Sequence, residues 1–253
     1  MLIKSVIFSI LLFCSSHAIA GNIRLDADEQ VEYHQKEQKL VAKGNAVASK
    51  DDLSISAETL IGYYAPKNKS KISKVEAIGN VKMTSPEAFA TGDNLVYQTT
   101  SQTATLTGNP ATIKTNDTTI SSDGPIIYYQ QDQKAVATNN VIATDAKGNK
   151  VYADRMVAYF DKTSNGKLNL NKIDIDQNIK LVSSDATITA LKGTYNATTG
   201  KITLSENVII NQNGNILKGS KAETNLNTGV SKILSSGSNG RVSGIFKEKK
   251  KKE

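Results

Sequence analysis

A chain of 253 residues with no tryptophan, four prolines, 38% hydrophobic and 22% charged side chains is too apolar to be disordered and too poor in proline to be a spacer. Its formal charge of +7 gathers at the C-terminus, where residues 247–253 hold five lysines and two glutamates; the nearly neutral remainder lacks the basic, aromatic-interleaved face of a nucleic-acid reader. With only 6% aromatic residues, such a body suits a thin, extended β architecture better than a conventional compact core.

The first twenty residues combine Lys4, an apolar run over residues 5–13 and the small-x-small exit Ala18-Ile19-Ala20 before Gly21. These are the parts of a secretory signal peptide, and the apolar part is well short of the roughly 20 residues that a membrane span needs. Cleavage is expected between Ala20 and Gly21. Cys14, the only cysteine, lies inside this segment behind Phe13, where a lipoprotein site wants a small residue. The exported chain therefore folds without a disulfide, and with His34 as its only histidine neither a cofactor, a His-based metal site nor a catalytic triad is expected.

From there the chain repeats itself. Ala27-Asp28-x-x-Val31-x-Tyr33, Ala57-Glu58-x-x-Ile61-x-Tyr63, Gly92-Asp93-x-Leu95-x-Tyr97, Ser122-Asp123-x-x-Ile126-x-Tyr128 and Ala153-Asp154-x-x-Val157-x-Tyr159 follow one pattern. Degraded copies end it: Tyr195 with Ala190 at the acidic place and Gly193 at the apolar one, then Ala222-Glu223 with Thr228 in place of the tyrosine. An asparagine landmark follows each tyrosine: Asn45, Asn80, Asn109, Asn140, Asn178 and Asn207. Four of the six separations are twelve residues, as from Tyr33 to Asn45; the second and fifth are longer by five and seven, around Pro66-Lys67-Asn68-Lys69 and Thr163-Ser164-Asn165-Gly166, and are expected to be loops.

Within a unit the side chains alternate with period two, as in strands, and no helical periodicity appears beyond the signal peptide. Leu95 and Tyr97, Ile126 and Tyr128, and after the asparagines Val81 and Met83, share one apolar parity. Val47, Ile142 and Ile209 break it. Glycine-asparagine pairs tolerate positive φ and read as tight turns or bulges. Short strands with one apolar face must close that face on itself, as two facing sheets or a jelly roll do, and the many alanines predict an interior incompletely filled, leaving room for a groove.

The repeated acids Asp28, Glu58, Asp93, Asp123 and Asp154 recur at one place per unit, as structural corners do, whereas a catalytic carboxylate pair occurs once; no enzyme is expected. The inward tyrosines have two readings that can hold together: amphipathic core residues, or the lining of a slot for acyl chains.

The recurring Ala-Asp-x-x-Val-x-Tyr followed by Ala-x-Gly-Asn-Val, as in Ala27 to Tyr33 with Ala42-Lys43-Gly44-Asn45-Ala46 and Ala57 to Tyr63 with Ala77-Ile78-Gly79-Asn80-Val81, resembles the OstA-like β-jellyroll family over about residues 23–240. The resemblance implies an all-β, elongated, slightly twisted β-jellyroll, here of about seven repeats of roughly thirty residues. The domains expected are then a signal peptide over 1–20, an OstA-like jellyroll domain over 21–246 and a basic disordered tail over 247–253. It implies a periplasmic carrier that shields lipopolysaccharide acyl chains (lipid A) between inner and outer membranes, associates head to tail and meets LptC-like and LptD-like jellyroll domains. Its lipid-contacting interior face would be Val31, Tyr33, Ile61, Tyr63, Val81, Met83, Leu95, Tyr97, Ile126, Tyr128, Val157 and Tyr159. The polar Thr99, two beyond Tyr97, departs from the family's apolar lining. The alternatives are an LptC-like component anchored in the inner membrane, or a surface adhesin or structural β-solenoid that binds no lipid; an enzyme acting on envelope polysaccharide is more distant.

Overall fold

The computed structural model describes residues 23–66, 68–86, 88–163, 168–225, 231–235 and 241–245. The expected signal peptide and basic tail lie outside them. The described residues hold eighteen strands and no helix: β1 (Arg24–Asp26), β2 (Gln30–His34), β3 (Lys39–Lys50), β4 (Leu53–Ala65), β5 (Asn68–Thr84), β6 (Ala88–Gln98), β7 (Thr103–Thr107), β8 (Ala111–Thr115), β9 (Thr118–Ser122), β10 (Ile126–Tyr129), β11 (Lys134–Asp145), β12 (Lys150–Lys162), β13 (Leu168–Val182), β14 (Ala186–Asn196), β15 (Lys201–Gln212), β16 (Asn215–Asn225), β17 (Ser231–Leu234) and β18 (Ser243–Ile245). All pairings are antiparallel and join one sheet.

The asparagine landmarks crease this sheet. φ is +80° and +43° at Gly44 and Asn45, +78° and +48° at Gly79 and Asn80, and positive again at the pairs 139–140, 177–178 and 206–207. At each of these places the ladder register shifts. Two successive left-handed residues make a bulge that bends the strand, and glycine adopts that conformation at little cost. At Gly79 a Cβ would also stand 2.6 Å from the Glu58 carboxyl carbon. The long strands β3–β6 and β11–β16 therefore run through both halves of a folded sheet. In the third unit the chain breaks instead, with β7 in one half and β8 in the other, across Gly108-Asn109-Pro110.

One half-sheet contains β2, β7, β10 and β17 with the adjoining portions of the long strands. The other contains β1, β8, β9 and β18 with theirs. Their inner faces meet: Ala42, Leu60, Ala77 and Leu95 of the first half share a buried cluster with Ala46, Ile55, Val81 and Met83 of the second. This is the β-jellyroll expected. The two insertions are not loops: β4 and β5 extend to Ala65 and from Asn68, and β12 and β13 to Lys162 and from Leu168, so the added residues lengthen hairpins.

Four creases carry a clasp built from the two sequence landmarks. Asn45 Nδ2 donates to Asp28 Oδ2 at 2.9 Å, Asn80 to Glu58 Oε1 at 2.6 Å, Asn140 to Asp123 Oδ2 at 2.8 Å and Asn178 to Asp154 Oδ2 at 2.7 Å. The sixth crease has Leu191 beside it and an ion pair, Lys192 to Glu206 at 2.6 Å, instead. In these four units the repeated acid is thus bound to the bend that follows it, which gives its recurrence a structural reason.

Candidate functional site

The interior between the half-sheets is lined by rows that cross the whole molecule. In the first half, Val31, Ala42, Leu60, Ala77, Leu95, Leu106, Ile126, Ala137, Met156, Ile175, Gly193, Leu204, Ala222 and Ile233 are successive cross-strand partners. In the second, Leu25, Ala48, Ile55, Met83, Ala90, Ile113, Ile120, Ala143, Val151, Leu181, Ile188, Ile210 and Leu217 form the facing row. Neither row contains a charged or hydrogen-bonding side chain. Rows on one face lie two residues apart, about 6.7 Å. The next row outward in the first half includes Tyr97, Ala104, Tyr128, Ala135, Ala158, Ile173 and Tyr195. These tyrosines are buried or half-buried, and burial raises the Tyr195 phenol above its ordinary pKa, as a dry interior does.

The interior is more nearly filled than its alanines suggested. The space at mid-molecule, lined by Val81, Met83, Leu95, Leu106, Ile113, Ile126, Tyr128 and small neighbours, measures about 20 Å³, room for one water. Alanines on one strand face Leu, Ile or Met on the next, as Ala77 faces Leu95 and Ala137 faces Met156, so large and small residues interdigitate.

Of the residues expected on the interior face, Val81, Met83, Leu95, Tyr97, Ile126 and Tyr128 are there. Val31 and Tyr33 belong to the inner rows as well, but β2 is the terminal strand of its half-sheet and leaves them 51% and 53% exposed. Ile61, Tyr63, Val157 and Tyr159 are on the opposite, outer face, a correction to the sequence reading. Leu60 and Met156 take the inward places, one residue earlier; four residues after them Phe160 joins the second buried cluster and Tyr64 packs edge-on against Tyr33. A slip of one residue exchanges the faces of a strand.

The outer face shows what the displaced residues do. Tyr63 Oη donates to Glu76 Oε2 at 2.8 Å, and Lys74 both pairs with Glu76 at 2.8 Å and lies 4.0 Å over the Tyr63 ring. The hydrogen bond to Glu76, with burial, raises the Tyr63 pKa; burial pushes the Glu76 carboxyl up, but Lys74 and Tyr63 outweigh it and hold it below its ordinary value. Lys172 pairs with Asp174 at 2.9 Å and lies 4.5 Å over Tyr159. Such flattened lysine–tyrosine pairs exclude water from aliphatic neighbours. Val157 is only 1% exposed although it faces away from the core, between its cross-strand partners Val136 and Asp174. Thr99 spends its hydroxyl on Ile72 and Ser73 carbonyls at 3.1 and 2.9 Å, so its polarity is satisfied within the sheet.

Sequence reasoning missed Ile55, Leu60, Leu106, Ile113, Met156, Phe160, Leu170 and Ile175 as interior residues. One signal for the register was present: Glu76 and Lys74 mark the solvent parity of β5, and Ile61 and Tyr63 pair directly with them. Among the described residues no group of three His, Cys, Asp or Glu side chains is placed to hold a metal.

The family described as LptA/(LptD N-terminal domain) LPS transport protein matches residues 24–134 and, a second time, 125–230. No curated protein matches the chain. Among solved structures, LptH of Pseudomonas aeruginosa, described as the LptA homologous periplasmic component of the lipopolysaccharide transport device, aligns with 90% of this chain and 96% of its own at 11% identity and a TM-score of 0.24.

Proposed function

The chain belongs to the LptA/LptD N-terminal domain family of lipopolysaccharide transport proteins, and from that membership we propose that it is an LptA-type periplasmic carrier that shields acyl chains of lipopolysaccharide between its half-sheets. The observation that carries the reading is the unbroken apolar row from Val31 to Ile233, continuous over fourteen paired strands and faced by a second such row. At about 0.8 kcal/mol per methylene, a chain of a dozen carbons gains roughly 10 kcal/mol on leaving water, and a row without polar interruptions offers that gain at every step. Because the space at mid-molecule has room for one water, the half-sheets or their side chains must yield there when lipid enters. Direction of transport has to come from an energised partner.

At the two ends of the folded sheet, β1 and β2 pair only with β3, and β17 and β18 only with β16, among the described residues. Unpaired edges accept further strands. Head-to-tail copies, and LptC-like and LptD-like jellyroll domains, are the partners this reading assigns to them.

The filled interior favours one other reading, a structural β-solenoid whose inner face is simply a core. Purification from a lipopolysaccharide-producing cell, solvent extraction and mass spectrometry separate the two. A carrier yields lipid A in proportion to protein; a solenoid yields none, and that result would remove the carrier reading.

A further inference from the structure

Resting on the carrier reading, we propose that the cross-strand pair Phe160 and Leu170 is a plug that fills the outer part of the slot in the lipid-free chain and withdraws when an acyl chain enters. The pair belongs to a second apolar cluster, separate from the main one, with Tyr128, Tyr195, Ala104 and Ala158. It lies in the third inward row of its half-sheet, the row farthest from the crease. An outermost row borders solvent, yet Phe160 is 4% and Leu170 9% exposed. Ile120, from the facing half-sheet, packs against both clusters, so the second cluster bridges the two halves where the slot would open.

Two features make this pair the part that moves. The ladder register shifts between Tyr159 and Phe160, so a bulge separates the pair from the regular sheet. The cavity of about 20 Å³ lies on the seam between the clusters: Tyr128, Ala104 and Ala135 line one side, and Met83, Leu95 and Ile113 line the other. Packing is therefore incomplete where the second cluster meets the main core, although Phe160 and Leu170 do not themselves line the gap, and both walls are apolar. Neither Phe160 nor Leu170 has a polar side-chain atom to leave unsatisfied on moving, so acyl methylenes can replace them without loss of a hydrogen bond.

The other long hairpin supplies a control. Tyr64 and Ile72 are the corresponding cross-strand pair beyond a register shift between Tyr63 and Tyr64, but they are only half-buried and lie in neither cluster.

The test uses the exported chain and cis-parinaric acid, an eighteen-carbon fluorescent acyl probe. A plug lowers apparent affinity by the fraction of molecules in which it is open, so Phe160→Ala with Leu170→Ala should tighten probe binding about tenfold or more, while Tyr64→Ala with Ile72→Ala leaves it unchanged. Circular dichroism checks that both variants keep the sheet. Phe160→Trp, in a chain without other tryptophans, reads the movement in an otherwise intact cluster. Its emission should be blue-shifted in the free protein and shift red on saturation with probe. Equal affinities in all variants, or a tryptophan that stays blue while probe binds, would overturn the plug and leave the carrier reading standing. Failure of every variant to bind probe would overturn both.

Discussion

Truncating Leu60 and its neighbour Ile61 separately decides which face of β4 is the core. Leu60 is 5% exposed and packs in the main cluster, between its cross-strand partners Ala42 and Ala77. Leu60→Ala removes the equivalent of about three methylenes, roughly 2.4 kcal/mol of transfer free energy. The surrounding rows are held by ladder hydrogen bonds on both sides and cannot collapse fully into the space, so the cavity contribution brings the cost to about 3–4 kcal/mol. Ile61 is half-buried on the outer face opposite Glu76. Its truncation leaves a surface dent rather than a cavity and should cost about 1 kcal/mol. Urea unfolding of the two variants, compared at a common m-value, reads the difference directly. Equal losses, or a greater loss at Ile61, would refute the register and with it the assignment of the interior.

Three further outcomes follow from the same structure. At the fifth crease, Asp154→Ala should cost about 0.5–1 kcal/mol, and a double-mutant cycle with Asn178→Ala should recover a coupling of similar size; no coupling would deny the clasp a structural role. A Cβ at position 92 would stand 2.5 Å from the Thr107 carbonyl oxygen, so Gly92→Ala should destabilise by about 1–3 kcal/mol, and an unchanged melting temperature would contradict that close approach. Hydrogen bonds from Lys201 and then Lys221 hold the Glu223 carboxyl down to about 2, against an ordinary 4.5. Its contribution to stability is complete above pH 4.5 and is lost as pH falls toward 2; Glu223→Gln should remove that part of the acid dependence of the melting temperature, with wild type and variant converging near pH 2.

The fold was legible because two different landmarks repeat together. An acid before an alternating strand and an asparagine landmark after it recur because most creases use positive φ and an acceptor for the asparagine, as Asp28 and Asn45 illustrate. The inner face was legible where only one parity is apolar. In β6, Leu95 and Tyr97 stand inward, and outward Asn94 and Gln98 flank Val96. It was not legible in β4 and β12, where Leu60 adjoins Ile61, Met156 adjoins Val157, and an aromatic stands at both parities. There the tyrosine served as the landmark, but Tyr63 and Tyr159 lie under lysines on the outer face. At Asp28 and Asp123 the chain breaks between two strands and reaches its inward residue one position later than in the continuous strands that carry Glu58, Asp93 and Asp154, and nothing local in the sequence announces which. The packing density of the interior was hidden for a related reason: an alanine reads as empty space until the leucine opposite it is known.

If the inner face of the folded sheet is a lipid slot, a photo-crosslinker scan along β6 will show it. Groups placed singly at residues 94 to 98 in the exported protein, irradiated with lipopolysaccharide, should capture it at Leu95 and Tyr97 and fail at Asn94, Val96 and Gln98. Capture at Val96 or Gln98 equal to that at Tyr97 would contradict the interior slot.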